Sequence, residues 1–587
     1  MSTGDATGNG GFRLKRYMPA ADWLLHYRRE DLAGDLIAGT ITAILLIPQA
    51  MAYSLLAGLP PEIGLYASIV PPIVYALFGS SRALAVGPVA VASLMVAAAL
   101  GSIAPDGGAL YVAGALVLSM LVGVMLLVTG ILRMGWVANF LSHPVMSGFT
   151  SAAALLIAAS QLKHLFGLSV PRGLRIDQTL EQLFSQMGNA NGVAMAIGFS
   201  SMALLLFIRG PLPRLLKSRG VPEHLAGLIV KAGPLVLVVV MTGISATFML
   251  HERSGLNVVG AIPAGLPPLS VPDFVNVPWV KLVPSAALIA LVSFVESVAV
   301  GRALASRKRQ KIDANSELLG LGFANIAGAF SGASPVCGGF SRSVVNFEAG
   351  ANTQLAAIVT ACLIALSLVT FAPALTDLPQ AVLAAIIVIA VLGLVDLKTP
   401  VEVWRYDKRD GMALGMTFLA VLTMGIEEGI ATGVVLSLFL YLWRTSRPHM
   451  AIVGRVGNSE HFRNIKRHKV RTLPDLLAVR VDESLYFANA NYLEERLLGE
   501  TADNPRVRHV LLICSAVNAI DASALETLEK LISELSMAGV RFHLSEVKGP
   551  VMDKLEAVGF PEHLKQAGGH IFLSTHEAFE AVEKGRI

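Results

Sequence analysis

Charge is scarce in this 587-residue chain: Asp, Glu, Lys and Arg make up 15% of it, against 54% for hydrophobic residues. A soluble domain carries about 25% charged residues, so a mean hydropathy of +0.62 excludes an ordinary soluble protein and identifies an integral membrane protein. Cysteine is scarcer still. Cys337, Cys362 and Cys514 are the only three, too far apart for a zinc or redox pattern, so neither a disulfide framework nor a metal site is expected. The soluble part also lacks a P-loop and a nucleophile elbow, which disfavours an enzyme, and no cofactor or nucleic-acid partner is expected.

Long apolar runs are abundant. Val283 to Val300 and Gln354 to Phe371 run almost without charge for the about 18 residues that a helix needs to cross a bilayer. The first such run begins near Asp35 with no small-residue cleavage site before it, as in a retained helix and unlike a signal peptide. Hydropathy divides the membrane part into about 14 segments. Basic clusters follow the sixth (Arg209, Arg214, Lys217, Arg219), eighth (Arg302, Arg307, Lys308, Arg309, Lys311), twelfth (Arg405, Lys408, Arg409) and fourteenth (Arg444, Arg447). With Arg13, Lys15, Arg16, Arg28 and Arg29 before the first, the positive-inside rule places both termini in the cytoplasm. The longer loops around Pro171 and Pro267 then lie outside.

Composition changes after Trp443. We expect a cytosolic N-terminal segment (1–30), a transmembrane domain (31–445), a linker (446–468) and a soluble domain (469–587). In the last, "LLAVRV", "SLYFAN", "HVLLIC" and "VRFHLS" read as strands, alternating with helical stretches such as "SALETLEKLISELSMAG" in a small α/β domain.

Two apolar runs are broken. "SSRALAVGPVAVASLMVAA" places Gly87 and Pro88 in the first half, and "SGASPVCGGFSRSVVNFEAG" places Pro335, Gly338 and Gly339 in the second, each in about the third span of its half. Paired interruptions of this kind point to an inverted-repeat transporter with its site at the bilayer midplane. Half-helices starting near Val89 and Ser341 would turn two positive N-termini toward an anion. Ser341, Ser343 and Ser334 could add hydroxyl donors, and Arg342 adds charge. The alternative is close packing by small residues, which leaves a deep arginine without a reason. Glu296 is an intramembrane carboxyl suited to loading and releasing a proton, or else a structural partner of Arg342. Pro48 should break the first span, leaving Gln49 and Tyr53 one turn apart to face a ligand; equally, Gln49 could bond a carbonyl that Pro48 frees.

The stretches "IPQAMAYSLLAGLPPEIGLYASIVPPIVYALFGSSR", "AVGPVAVASL", "ESVAVGRALA" and "CGGFSRSVVNFEAGANTQLA" closely resemble the SulP family of sulfate permeases, and the tail resembles a STAS domain. The resemblance implies a polytopic α-helical membrane protein with a 7+7 inverted repeat, nucleobase-permease-like core and gate domains, and a homodimer with cytosolic STAS domains. It places the anion site on Val89 and Ala90 beside Gly87 and Pro88, on Ser341 and Arg342, and on Gln49 and Tyr53. The glutamate of proton–sulfate symporters falls on Glu296. The activity implied is secondary transport of sulfate or a similar small inorganic anion, coupled to protons, in the cell inner membrane. Exchange or uncoupled flux of bicarbonate, chloride or dicarboxylates is the alternative; from another class, the chain could be a membrane-anchored anion sensor or scaffold recruiting cytosolic partners through STAS. Asp521 is followed by Ala522 where the anti-sigma antagonists carry a phosphorylated serine, so phospho-switching is not expected and Asp521 and Ser523 should instead cap a helix.

Overall fold

The computed structural model describes residues 19–587 except 106, 141, 171–175 and 264. Arg13, Lys15, Arg16 and most of the expected N-terminal segment, together with the loop at Pro171, lie outside the described residues. The chain divides into two units, 1–437 and 438–587.

The first unit holds two runs of seven membrane segments. The first run is α1 (Arg29–Leu56), α2 (Pro61–Phe78), the two-residue strand β1 (Val86–Gly87) leading into α3 (Ala90–Gly101), α4 (Ala109–Ile131), α5 (His143–Leu165), α6 (Gly192–Arg209) and α7 (Glu223–Thr247). The second repeats the plan: α8 (Trp279–Arg307), α9 (Ala314–Phe330), β2 (Cys337–Gly338) leading into α10 (Phe340–Glu348), α11 (Leu355–Phe371), α12 (Gln380–Leu392), α13 (Lys408–Thr423) and α14 (Ile426–Ser446). Both broken stretches are thus the third member of their run. Among the described residues, nine helices are long and apolar enough to cross a membrane. Val236, Val239, Leu366, Phe371, Val435 and Phe439 are exposed large apolar side chains on these helices, as a lipid-facing surface requires.

The segments sort into two bundles. Helices α1, α2, α4, α8, α9, α10 and α11 pack on one another, and α5, α6, α7, α12 and α13 form the second group, to which Gly433 of α14 adds by lying against Val145 and Thr417. Without a hydrophobic drive between helices in lipid, close approach supplies the packing energy. The α4–α9 crossing shows how: a Cβ on Gly123 would lie 2.7 Å from the Ile326 nitrogen, and one on Gly322 would lie 2.8 Å from that of Leu127.

In the second unit, β3 (Met450–Arg455), β4 (Phe462–Asn464), β5 (Leu476–Val481), β6 (His509–Ile513), β7 (Arg541–Ser545) and β8 (Ile571–Phe572) form one sheet in the order β4-β3-β5-β6-β7-β8. Strands β5 to β8 run parallel, while β3 and β4 pair antiparallel at one side. Helices α15 (Ala490–Asp503), α16 (Ala522–Met537), α17 (Gly549–Ala557) and α18 (Phe560–Gln566) cover one face through residues such as Leu497, Leu531, Leu555 and Phe560, and α19 (Thr575–Glu583) covers the other through Phe579.

Two expectations need correction here. The segment 446–468 is not a linker: its Ala451 and Val453 point to one buried face of the sheet while Ile452 packs on the other, the alternation of a strand covered on both sides. Conversely, "SLYFAN" is not a strand. Leu485 makes a single bridge to Ile520, and the Asn489 side chain then accepts from the Tyr486 N–H and closes a turn into α15.

Candidate functional site

Both broken segments are buried in the first unit, and each solves the problem of non-helical backbone away from water by pairing with the other. Val86 lies opposite Gly338 and Gly87 opposite Cys337 in an antiparallel bridge. Because the strands are antiparallel, α3 and α10 leave the bridge in opposite directions with both N-termini held at it. Val89 and Gly339 are the N-cap residues, and neither N-terminus carries a side-chain cap. The leading N–H groups of both helices are therefore unclaimed by side chains, which is the arrangement that holds an anion.

Arg342 fixes this geometry. Its Nε donates to the Ala85 carbonyl at 2.9 Å, Nη1 to Pro88 at 2.6 Å and Nη2 to Cys337 at 3.0 Å, so one buried guanidinium ties both segments. Gly87 is placed accordingly: at φ +156° a Cβ would lie 3.3 Å from Nη1. Ser343 belongs to the same scaffold. It donates to the Gly339 carbonyl at 2.6 Å and accepts from the Ala85 N–H at 2.9 Å, so its hydroxyl is spent on backbone and not held out to a ligand. The Gly338 N–H is taken by Ser297 Oγ at 2.8 Å, and Asn325 brackets Val336 through both its N–H and its carbonyl.

Ser341, in the first turn of α10, is exposed and its hydroxyl has no bonding partner among the described residues; Phe340 beside it is also exposed. Val89 and Ala90 are buried at the opposite N-terminus. Helix α1 continues unbroken through Pro48, contrary to the expected break. Gln49 is 6% exposed and forms no hydrogen bond among the described residues, so it does not serve the carbonyl that Pro48 frees. Tyr53, one turn further along α1, packs against the apolar cluster that contains Ala90. Glu296 is half-buried and makes no hydrogen bond or ion pair among the described residues; the structural pairing with Arg342 does not form. The structure thus gathers the two N-termini, Ser341, Arg342, Tyr53 and Glu296 around one locus, with Gln49 one turn from Tyr53 on α1. Ser334 is buried nearby in sequence with no hydroxyl partner among the described residues, and Cys337 contributes its carbonyl, not its thiol.

Sequence reading missed two buried carboxylates. Glu317, fully buried in α9, accepts from Tyr75 OH at 2.6 Å, Ser80 N at 2.9 Å, Ser80 Oγ at 2.6 Å and Ser81 N at 3.0 Å, anchoring the approach to β1. Asp35 of α1 accepts from Asn352 N at 2.7 Å, Thr353 N at 2.9 Å and Thr353 Oγ1 at 2.6 Å, anchoring the exit from α10. Each carboxylate holds the non-helical chain flanking one half-helix. The available signal was a carboxylate at the edge of an apolar run without a basic neighbour.

In the second unit, Asp521 caps α16 by accepting from Ala524 N at 2.8 Å, and its other oxygen accepts from Phe487 N at 2.9 Å. Ser523 does not cap.

The model of the sulfate permease family matches residues 32–417, and that of the STAS domain matches 467–578. The Arabidopsis thaliana protein named sulfate transporter 4.1, chloroplastic, is 37% identical over 574 residues, covering 96% of this chain and 82% of the relative. Probable sulfate transporter 4.2 of the same plant is 38% identical, covering 96% and 83%. Among solved structures, murine solute carrier 26 member A9, an anion transporter in its inward-facing state, superposes with a TM-score of 0.88 at 25% identity, covering 98% of this chain and 96% of that one.

Proposed function

The chain belongs to the sulfate permease family, and from that premise we propose that it carries sulfate or a similar small anion across the membrane together with a proton, by alternating access of the two bundles. One observation supports the reading above the rest: two helix N-termini without side-chain caps meet at a β-bridge that a buried arginine clamps, next to a carboxyl, Glu296, with no hydrogen-bond or ion-pair partner among the described residues. The N–H groups of Ala90 and Ser341 and the Ser341 hydroxyl hold the oxyanion. Arg342 frames the site and adds positive field. Gln49 and Tyr53 close it from α1.

Glu296 carries the proton. A carboxyl without an ion-pair partner next to an arriving anion is held neutral by that anion's charge, and releases its proton when the anion leaves. The protein works as a homodimer in the cell inner membrane with both termini cytoplasmic, where the basic clusters would sit, and its STAS domain receives cytosolic partners.

The test is uptake of labelled sulfate into proteoliposomes with and without an inward proton gradient. The gradient should accelerate uptake, and Glu296→Gln should abolish the acceleration while sparing downhill flux. Unchanged pH dependence in that variant overturns the proton role, and uptake driven only by internal anion would make the protein an exchanger. Anion binding without flux would instead support a sensor.

A further inference from the structure

Away from the bridge, a cavity of about 450 Å³ opens between the bundles, lined by Leu56 of α1, Ala98 of α3, Gln161 of α5, Gln380 of α12 and Glu427 of α14. These residues fall at the end of the bundles where α1 and α3 finish and α8 and α14 begin, opposite the basic clusters. Across the cavity Ser285 Oγ of α8 donates to Glu427 Oε2 at 3.0 Å. Helix α8 belongs to the first bundle and α14 to the second, so this bond spans the two bodies that alternating access moves apart.

We propose that Glu427 is a gating residue of the transport cycle: the bond it accepts from Ser285 closes the outer mouth and breaks each time the mouth opens. The proposal rests on the alternating-access reading. Its second support is the other carboxylate oxygen. Glu427 Oε1 is buried with no hydrogen-bond partner among the described residues. A charge-assisted bond gained on Oε2 is thus offset by lost solvation on Oε1, and water regains Oε1 when the mouth opens. A contact balanced in this way is reversible, as a gate must be and a structural bridge need not be. Lys163 and His164 of α5 and Glu428 share the cavity wall, so the carboxyl has charges of both signs near it in the closed state. Ser285 and Glu296 are eleven residues apart, about three turns of α8 and within about 20° of one face. Opening at Ser285 therefore uncovers the helix face that carries Glu296. At the other end, Lys231 of α7 and Glu348 of α10 also join the two bundles, at 3.5 Å and partly in solvent.

The test uses the full chain with Cys362→Ala, the buried Cys337 and Cys514 being kept. In Ser285→Cys with Glu427→Cys, a short bis-methanethiosulfonate, which spans the reach lost with the glutamate side chain, should cross-link the pair and reduce sulfate uptake into proteoliposomes at least tenfold, reversed by dithiothreitol, while each single variant forms no cross-link. In an Ala97→Cys reporter, at a position that lines the cavity but is buried in this state, Ser285→Ala should raise labelling by an impermeant maleimide from outside about tenfold, the loss of one charge-assisted bond. No cross-link, full transport by the cross-linked protein, or unchanged labelling each overturns the gate. If the double variant does not fold, the labelling result alone decides. Proton coupling is read separately: wild-type uptake indifferent to the gradient refutes the symport, while the labelling result still stands or falls by itself.

Discussion

Replacing Arg342 by lysine separates charge from geometry. Lysine keeps the positive charge but offers a single flexible ammonium where the guanidinium offers a planar fork. The fork reaches Ala85 at 2.9 Å, Pro88 at 2.6 Å and Cys337 at 3.0 Å, carbonyls on two chain segments some 250 residues apart. An ammonium on a shorter stem keeps at most one of these three bonds and loses the other two. At about 1.5 to 3 kcal/mol per charge-assisted bond, less what water entering by Ser341 restores, the loss is about 3 kcal/mol. That is roughly two orders of magnitude in the population of the paired bridge. Sulfate uptake in proteoliposomes and thermal unfolding in detergent should therefore both fall in Arg342→Lys, nearly as far as in Arg342→Ala. Gly87→Ala completes the set: it leaves the charge in place but presses a methyl group to 3.3 Å from Nη1 at an unfavourable φ, and should lower uptake with a smaller loss of stability. Wild-type uptake and stability in Arg342→Lys would refute the framing role and leave charge alone as the function of this residue.

Two further expectations concern groups away from the anion. Glu317→Gln replaces a four-way acceptor by an amide whose nitrogen faces donors, and should cost about 3 kcal/mol of stability, seen as a lowered melting temperature, with uptake falling because the approach to β1 loosens. In the C-terminal unit, the imidazole of His543 is pushed down to about 3 by burial, with His509, His570 and Arg541 adding to the effect. The His570 N–H donates to its Nδ1 at 3.1 Å, so Nε2 carries the proton and donates to His509 Nδ1 at 3.1 Å. The unfolded chain takes up a proton near pH 6.5, a value for free histidine of about 6.5, while the folded one waits until about pH 3. Stability should fall as pH drops through that window, and calorimetry of His543→Gln should show a slope smaller by about one proton.

Much of this architecture was legible because its signals are local. Composition marks the membrane, hydropathy marks the spans, and the positions of Gly87, Pro88, Gly338 and Gly339 mark two half-helices as a pair. What stayed hidden depends on contacts between distant residues. Nothing near Ser343 says that its hydroxyl will receive the N–H of Ala85, and nothing near Glu317 says that four donors from Tyr75 to Ser81 will converge on it. The sequence of β3 alternates too weakly to stand out, since a strand buried on both faces has no polar side. Helix α1 passes through Pro48 because the helix on either side is held by its own hydrogen bonds and by packing on α11. The residues proposed to meet the solute were nameable from type and position, and, Arg342 aside, those that hold them in place were not.

The account stands most directly on where the anion sits. Selenate, a sulfate analogue whose selenium scatters anomalously, can be located in crystals of the whole protein. We expect its anomalous peak between the N-termini of α3 and α10, within hydrogen-bond distance of the Ala90 and Ser341 nitrogens, and lost in Ser341→Pro. A peak elsewhere, with the space between the two N-termini empty at saturating selenate, would contradict the account.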